Sequence, residues 1–389
     1  MNQGASEGSQ EVQEVIMDQH YFFCPRPGCK AHSLHPPMNH WFTRYGYHQT
    51  AAFGQVQRYK CRLCGKSFSD QSFLLNYWLK KPTDFASLGR QLNCCSSGLF
   101  LARHFGFSAD SLRIRCDRLA RNALFFQATL TSGLQIREAL VADGLESFVA
   151  SKFFPLSLNV LVGARSQFLY FFTESHTRRK GSMSEQQKQR CTSIYADKCF
   201  TRSSLSGMFG QLLGYLKGHC SLPTVQLHTD EHPVYRSLIK RWNQHPAPQP
   251  RIDHHQTSST AARTTTNPLF AVNYLDRLIR KDLPNHRRRS ICYARNDRNL
   301  LSRFAYYVVT HNFHKPFRIS SGAAQRSSTH AQIALGSCPS LSFWKPRLHT
   351  CRFFRSFVRL PAYYGKLWVR NTPTPLKRRA DPVPAFARQ

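Results

Sequence analysis

Val141-Ala142-Asp143-Gly144 and Val225-Gln226-Leu227-His228-Thr229-Asp230 are the two stretches that decide the fold. In each, an apolar run ends in an aspartate, the pattern of a buried strand that delivers a carboxylate at its tip. Many folds hold divalent metal for phosphoryl chemistry in this way. The neighbouring sequence predicts a strand over Glu138–Val141 running into Asp143. A hairpin of Ser157–Val162 and Gln167–Thr173 follows around Gly163-Ala164-Arg165-Ser166, then a helix over Ser204–Lys217. Pro223–Leu227 is the next strand and Pro233–Trp242 the helix behind it; 246–267 is Pro/Thr/Ser-rich and irregular. Helices over Pro268–Leu283 and Arg298–His311 complete a mixed α/β order. That order fits an RNase H-like core over 135–318, although strand count alone fits other folds too.

The 389 residues suffice for two or three domains, and the apolar share for a core of useful size. The charge is unusual: 54 Lys+Arg against 21 Asp+Glu give +33. Such a surplus favours a polyanionic partner, because each phosphate contact releases counterions. Double-stranded DNA is the expected partner, with an anionic membrane surface the weaker alternative. No stretch has the apolar length of a membrane span, and the polar N-terminus is unlike an export signal. Thirteen cysteines in that context point to metal ligands and buried thiols in the cytosol.

Residues 1–20 read as a disordered tail. Over 21–75, Cys24-Pro25-Arg26-Pro27-Gly28-Cys29 and Tyr59-Lys60-Cys61-Arg62-Leu63-Cys64-Gly65 place two thiol pairs on tight turns, separated by strand-like sequence. Cys24, Cys29, Cys61 and Cys64 thus predict a zinc ribbon with structural Zn2+, with His32 and His35 as substitute ligands for the looser first pair. Residues 76–130 follow a helix-turn-helix pattern around Ala102-Arg103-His104-Phe105-Gly106-Phe107-Ser108, with Ser108 capping the next helix. Ser111, Arg113, Arg115, Arg118 and Arg121 on that helix suit guanine edges and phosphates. The plain alternative is a helical hairpin with a solvated basic face.

In-line attack on a phosphodiester needs an activated oxygen and neutralisation of the charge building on phosphorus, which two Mg2+ or Mn2+ ions supply when carboxylates converge on rigid elements. Asp143 and Asp230 are the candidates. His228 and Glu231 lie beside them, either supporting the ligands from behind or simply exposed.

Together with the cysteine pairs and the helix-turn-helix, the phrases ADGLESF (142–148), HTDEHPVY (228–235) and NPLFAVNYLDRLIRKDLPNHRRRSICYARN (267–296) resemble bacterial insertion-sequence transposases with a zinc-ribbon N-terminus and a DDE catalytic core. The resemblance covers roughly 21–318. It implies metal-dependent cleavage and transfer of transposon-end DNA into a target, by a homo-oligomer on DNA in a bacterial cytoplasm. Asp143 matches the first acid and Asp230 the second. The third breaks the pattern: relatives carry a glutamate, and here Asp276, paired with Arg280 one turn on, is preferred over Asp282. Arg289 stands where the family often has that glutamate, which would leave an inactive protein.

From Ser320 the family pattern dissolves. Residues 319–389 hold 12 Lys+Arg and a single acid, Asp381, and read as a basic disordered tail. A late reading-frame change and a phosphate-gripping arm both account for it. The expectation is therefore a DDE transposase, active or inactivated, with a non-catalytic sequence-specific DNA-binding protein derived from one as the alternative.

Overall fold

The computed structural model describes residues 22–36, 40–196, 198, 204–246, 248–258, 260–287, 289–317, 328–336, 340–376 and 383. The expected tail at 1–20 lies outside them.

Strands β1 (Phe42–Thr50), β2 (Gly54–Cys61) and β3 (Ser67–Ser69) form an antiparallel sheet in sequential order. Its core is aromatic: Phe22 packs on Trp41, Phe42, Tyr59, Phe68 and Phe73. The two cysteine turns close on glycines in the left-handed region, Gly28 at φ +81° and Gly65 at φ +71°, where a side chain would be strained. This module carries the strands expected for it.

Three helices follow: α1 (Phe85–Leu92), α2 (Gly98–His104) and α3 (Ala109–Leu130). Ser97 and Ser108 cap the second and third, the Ser108 side chain accepting from Ser111 N as its position in sequence suggests.

The second sheet has five strands: β4 (Leu140–Val149), β5 (Ser151–Gly163), β6 (Leu169–His176), β7 (Thr224–Asp230) and β8 (Arg251–Thr257), in the order β6-β5-β4-β7-β8. The first three pair antiparallel; β7 joins β4 in parallel and β8 joins β7 in parallel. Helices α4 (Glu185–Tyr195) and α5 (Ser204–His219) intervene between β6 and β7, and α6 (Pro233–Gln244) between β7 and β8. Then come α7 (Phe270–Asp282) and α8 (Asp297–Phe313). This mixed α/β sheet fits the RNase H-like core expected. One face rests on α5, where Phe171 stacks on Tyr215; the other rests on α8, where Phe172 meets Phe304 edge-on.

Strand β8 was not expected within 246–267. Arg-Ile-Asp-His-His-Gln-Thr offers one buried apolar residue, Ile252, and parallel pairing to β7 makes it a strand. Asp143 is also displaced from its expected place, because β4 runs on to Val149 and leaves it in mid-strand.

The largest departure is the C-terminal region. Among its described residues, α9 (His330–Leu335), α10 (Ser340–Arg347) and α11 (Ala362–Trp368) are folded. Trp344, Leu348, Phe353, Phe354, Tyr364 and Trp368 are buried. Asn122 on α3 donates to the carbonyls of Leu348 and Cys351, and the backbone at Thr350 and Arg352 bonds to Leu75 and Phe73. The expectation of a disordered 319–389 tail fails here because these aromatics pack on surfaces far away in sequence, which no internal periodicity reveals. The premise of the frame-change reading, a tail with nothing to pack, fails with it.

A buried amide ties the edge strand to α8. Asn312 accepts from Leu169 N at 2.9 Å and donates to Leu169 O at 2.9 Å and to Gln127 Oε1. Asn312→Leu strands these groups without water and is expected to lower stability by about 2 kcal/mol in urea unfolding; an unchanged midpoint would show the network to be dispensable.

Candidate active site

Parallel pairing of Leu140 with Leu227 and Val141 with His228 fixes an offset that carries Asp143 to Asp230. Both are two residues beyond a paired position, so their side chains leave the same face of the sheet. One oxygen of each carboxylate accepts from a following backbone N–H, Gly144 at 2.7 Å and His232 at 3.0 Å. Gly144 leaves room for Ser157, since a Cβ there would lie 2.3 Å from Ser157 Oγ across the β4–β5 pair and the hydroxyl would have to turn away.

Burial pushes the Asp143 carboxyl up to about 6; the Gly144 N–H and Arg263 oppose this, while Asp230 and Glu146 add to it. Two carboxylates on adjacent rigid strands, one held back from ionisation by burial and by its neighbour, form a donor set suited to a hard divalent cation. Tyr235 at the start of α6 lies close enough for both acids to push its hydroxyl up further, after burial.

Asp276 sits half-buried on α7, which packs over β4 and β5, with Arg280 Nη2 4.0 Å away. It does not complete a three-acid cluster: among the described residues, the cysteines discussed below are the one group of three or more His, Cys, Asp or Glu whose ligand atoms lie within 4.8 Å of one another. Asp282 is tied to Lys315 and to Tyr307. Arg289 is exposed. Beside α7, Arg263, Arg277, Arg280, Lys281 and Arg287 line an open basic depression of about 640 Å³, suited to phosphates.

The four N-terminal cysteines converge. Cys24 Sγ and Cys64 Sγ are 3.5 Å apart, and Cys29 Sγ and Cys61 Sγ 3.8 Å. Zn–S bonds of about 2.3 Å in a tetrahedron require sulfurs ~3.8 Å apart, so this donor set fits zinc. Neither histidine substitutes: His32 bonds to Cys24 O and Ser356 Oγ and stacks on Phe357, and His35 lies outside the cluster.

Of the α3 residues expected to face a DNA groove, Arg115 and Arg118 are engaged inside the protein instead. Arg115 is buried and donates to Thr83 Oγ1 and to the carbonyls of Ser111 and Lys81. Arg118 is buried against Leu75 O, and burial lowers it to about 9. Arg121 donates to Trp368 O, Arg113 pairs with Asp110 and Asp117, and Ser111 is half-buried. The 22-residue helix is a core element, so Arg115 and Arg118 cap loop carbonyls packed around it.

Sequence reasoning missed a buried trio behind the same sheet face. Glu174 on β6 has both carboxylate oxygens buried without a hydrogen bond, and His176 Nε2 lies 3.7 Å from Asp297 Oδ2. Burial, then the Asp297 charge, pushes Glu174 well above the carboxylate range. The folded chain thus holds a proton that the unfolded chain releases. The associated stability is present below pH 4.5 and lost as pH rises through the folded value. Glu174→Gln is expected to remove that loss and to raise stability at pH 8 by about 2 kcal/mol. Urea unfolding at pH 5 and pH 8 checks this, and parallel pH dependences in both proteins would refute it.

No helix among the described residues is long and apolar enough to cross a membrane. No protein-family model matches the chain, and no curated protein matches it. Two solved structures with which it shares some likeness are viral. One is the HTLV-2 integrase catalytic core domain in complex with magnesium: 13% identity, TM-score 0.24, covering 52% of this chain and 99% of that one. The other is a simian T-cell lymphotropic virus intasome in complex with PP2A regulatory subunit B56 gamma: 15% identity, TM-score 0.28, covering 65% of this chain and 73% of that one. Likeness of this degree leaves fold and function to rest on the strand order and side chains described above.

Proposed function

We propose that the chain is a DDE-type polynucleotidyl transferase that binds DNA ends and cleaves and joins strands with divalent metal. The observation that carries this is the placement of Asp143 and Asp230, each two residues past the last paired position of the central parallel strands and close enough to feel one another's charge, with Arg263 of the five-cation depression acting on Asp143. Mg2+ or Mn2+, when bound, would activate the attacking oxygen and neutralise the phosphorane charge. Asp143 and Asp230 would hold it on elements too rigid to vary its position. Arg263, Arg277 and Arg287 would seat the phosphodiester backbone. Asp276 is the third ligand proposed, on the helix that covers β4. The cysteine module, as a zinc ribbon, and the helices before the sheet would position the DNA, with a second copy on the paired end.

A second reading has its own support: the ligand atoms of the three acids do not all lie within 4.8 Å of one another. A DNA-binding protein derived from a transposase, without catalysis, fits that fact.

Nicking of a labelled duplex in Mg2+ or Mn2+ tests both. Cleavage by the wild type that is lost in Asp143→Ala and Asp230→Ala supports the transferase; binding without cleavage in all three supports the second reading.

A further inference from the structure

A cleft of about 970 Å³ lies away from the carboxylates, against the cysteine module. Its lining includes Arg26, Arg58, Lys66, Lys80 and Arg352 and no acidic residue. Arg26, Arg58, Lys66 and Lys80 form no ion pair with a described acid. Arg352 belongs to the C-terminal segment and reaches the cleft because that segment pairs with Phe73 and Leu75; its guanidinium lies over the Tyr77 ring at 4.8 Å.

Within this basic wall stands Trp78. It is 71% exposed, while Trp41, Trp344 and Trp368 are buried and Trp242 half-buried. Its φ of +57° is a conformation that bulky residues rarely adopt. The turn that imposes it is pinned on both sides. Leu75 N donates to Thr350 O on one side; on the other, the Asn76 side chain donates to Thr83 O and accepts from Thr83 N. A rigid turn thus holds an indole out of the core and toward solvent. Backbone strain recurs at ligand-binding positions, which makes an exposed aromatic held this way a candidate contact.

We propose that this cleft binds a nucleic-acid strand, with an unpaired base stacked on Trp78 and phosphates on Arg58, Lys66, Lys80 and Arg352. Cations alone would suit an acidic peptide equally. A cation-free planar face among them suits a base, because every base has a π-face and aromatic stacking tolerates any sequence. The inference takes the polynucleotide partner from the reading above and nothing from the carboxylates.

The test uses the full chain, loaded with zinc, and three fluorescein-labelled probes: a 12-nucleotide single strand, a duplex with a 3-nucleotide overhang, and a blunt duplex. Trp78→Gly suits the positive φ and removes the ring; Trp78→Phe keeps a ring. Trp78→Gly is expected to weaken the single strand and the overhang on the order of tenfold and the blunt duplex less than twofold, with Trp78→Phe recovering most of the loss. Lys66→Glu with Arg58→Glu is expected to weaken all three probes and to flatten their salt dependence. The same pattern is expected in the Asp143→Ala background. Equal affinities of wild type and Trp78→Gly for every probe would overturn the cleft while leaving the transferase reading to the nicking assay. Tight binding of poly-glutamate with the same loss in Trp78→Gly would overturn nucleic acid as the occupant.

Discussion

If the Cys24–Cys29–Cys61–Cys64 cluster holds zinc, stripping it with a chelator is expected to unfold residues 22–73 and to leave the five-stranded sheet intact. The cysteine module has one three-stranded sheet and one layer of aromatic rings, too little to hold itself together without a crosslink. Burial pushes the Cys24 thiol up, whereas Cys64, despite its own burial, is pushed down to about 7 by the Lys66 backbone N–H and the neighbouring thiols. A zinc ion there would settle that set as thiolates, and binding of this kind is worth on the order of 10 kcal/mol. Hydrogen exchange should show loss of protection over Phe42–Cys61 in chelator or in Cys61→Ser, with Leu140–Gly163 unchanged. Full protection of Phe42–Cys61 in metal-free protein would remove zinc from the account. The module also packs on the C-terminal segment, through Phe23 with Phe354 and Phe357. Its loss should therefore expose Phe354 and Phe357 as well.

The second large effect concerns the acid pair. Asp230→Asn keeps the shape of the β7 terminus and removes one of the two charges proposed to hold metal. If the transferase reading holds, metal-dependent cleavage should fall about a thousandfold, the scale set by several kcal/mol of lost charge stabilisation. A readout independent of activity accompanies it. In metal-free protein the Asp143 carboxyl should titrate near 6, and its ionisation should move to lower pH in Asp230→Asn, because a repelling neighbour has been removed. Carbon-13 NMR of labelled aspartate measures this directly. An Asp143 titration unmoved by the substitution would mean the two acids do not share a site.

Residue chemistry at fixed spacing determined much by itself. Two thiol pairs on glycine turns announced the cysteine cluster, and Ser108 announced the start of α3. Two apolar runs ending in aspartate announced strands that the structure sets side by side. These signals are legible because each depends on neighbours within a few residues: a turn needs its glycine, a cap its serine, a buried strand its apolar run. Tertiary structure alone decided the rest. Arg115 and Arg118 looked like a DNA-reading face, yet α3 lies in the core, and burial turned them to loop carbonyls. β8 became a strand because β7 offered it a parallel edge, against the polar character of its own residues. The C-terminal aromatics showed no period because their partners, the cysteine module and α3, lie over 200 positions away, as in Asn122 with Leu348. The Trp78 cleft acquires Arg352 only because that distant segment closes against Phe73 and Leu75. Pairings at such separation leave no trace in local pattern, since burial is fixed by which surfaces meet and not by the order of residues within either one.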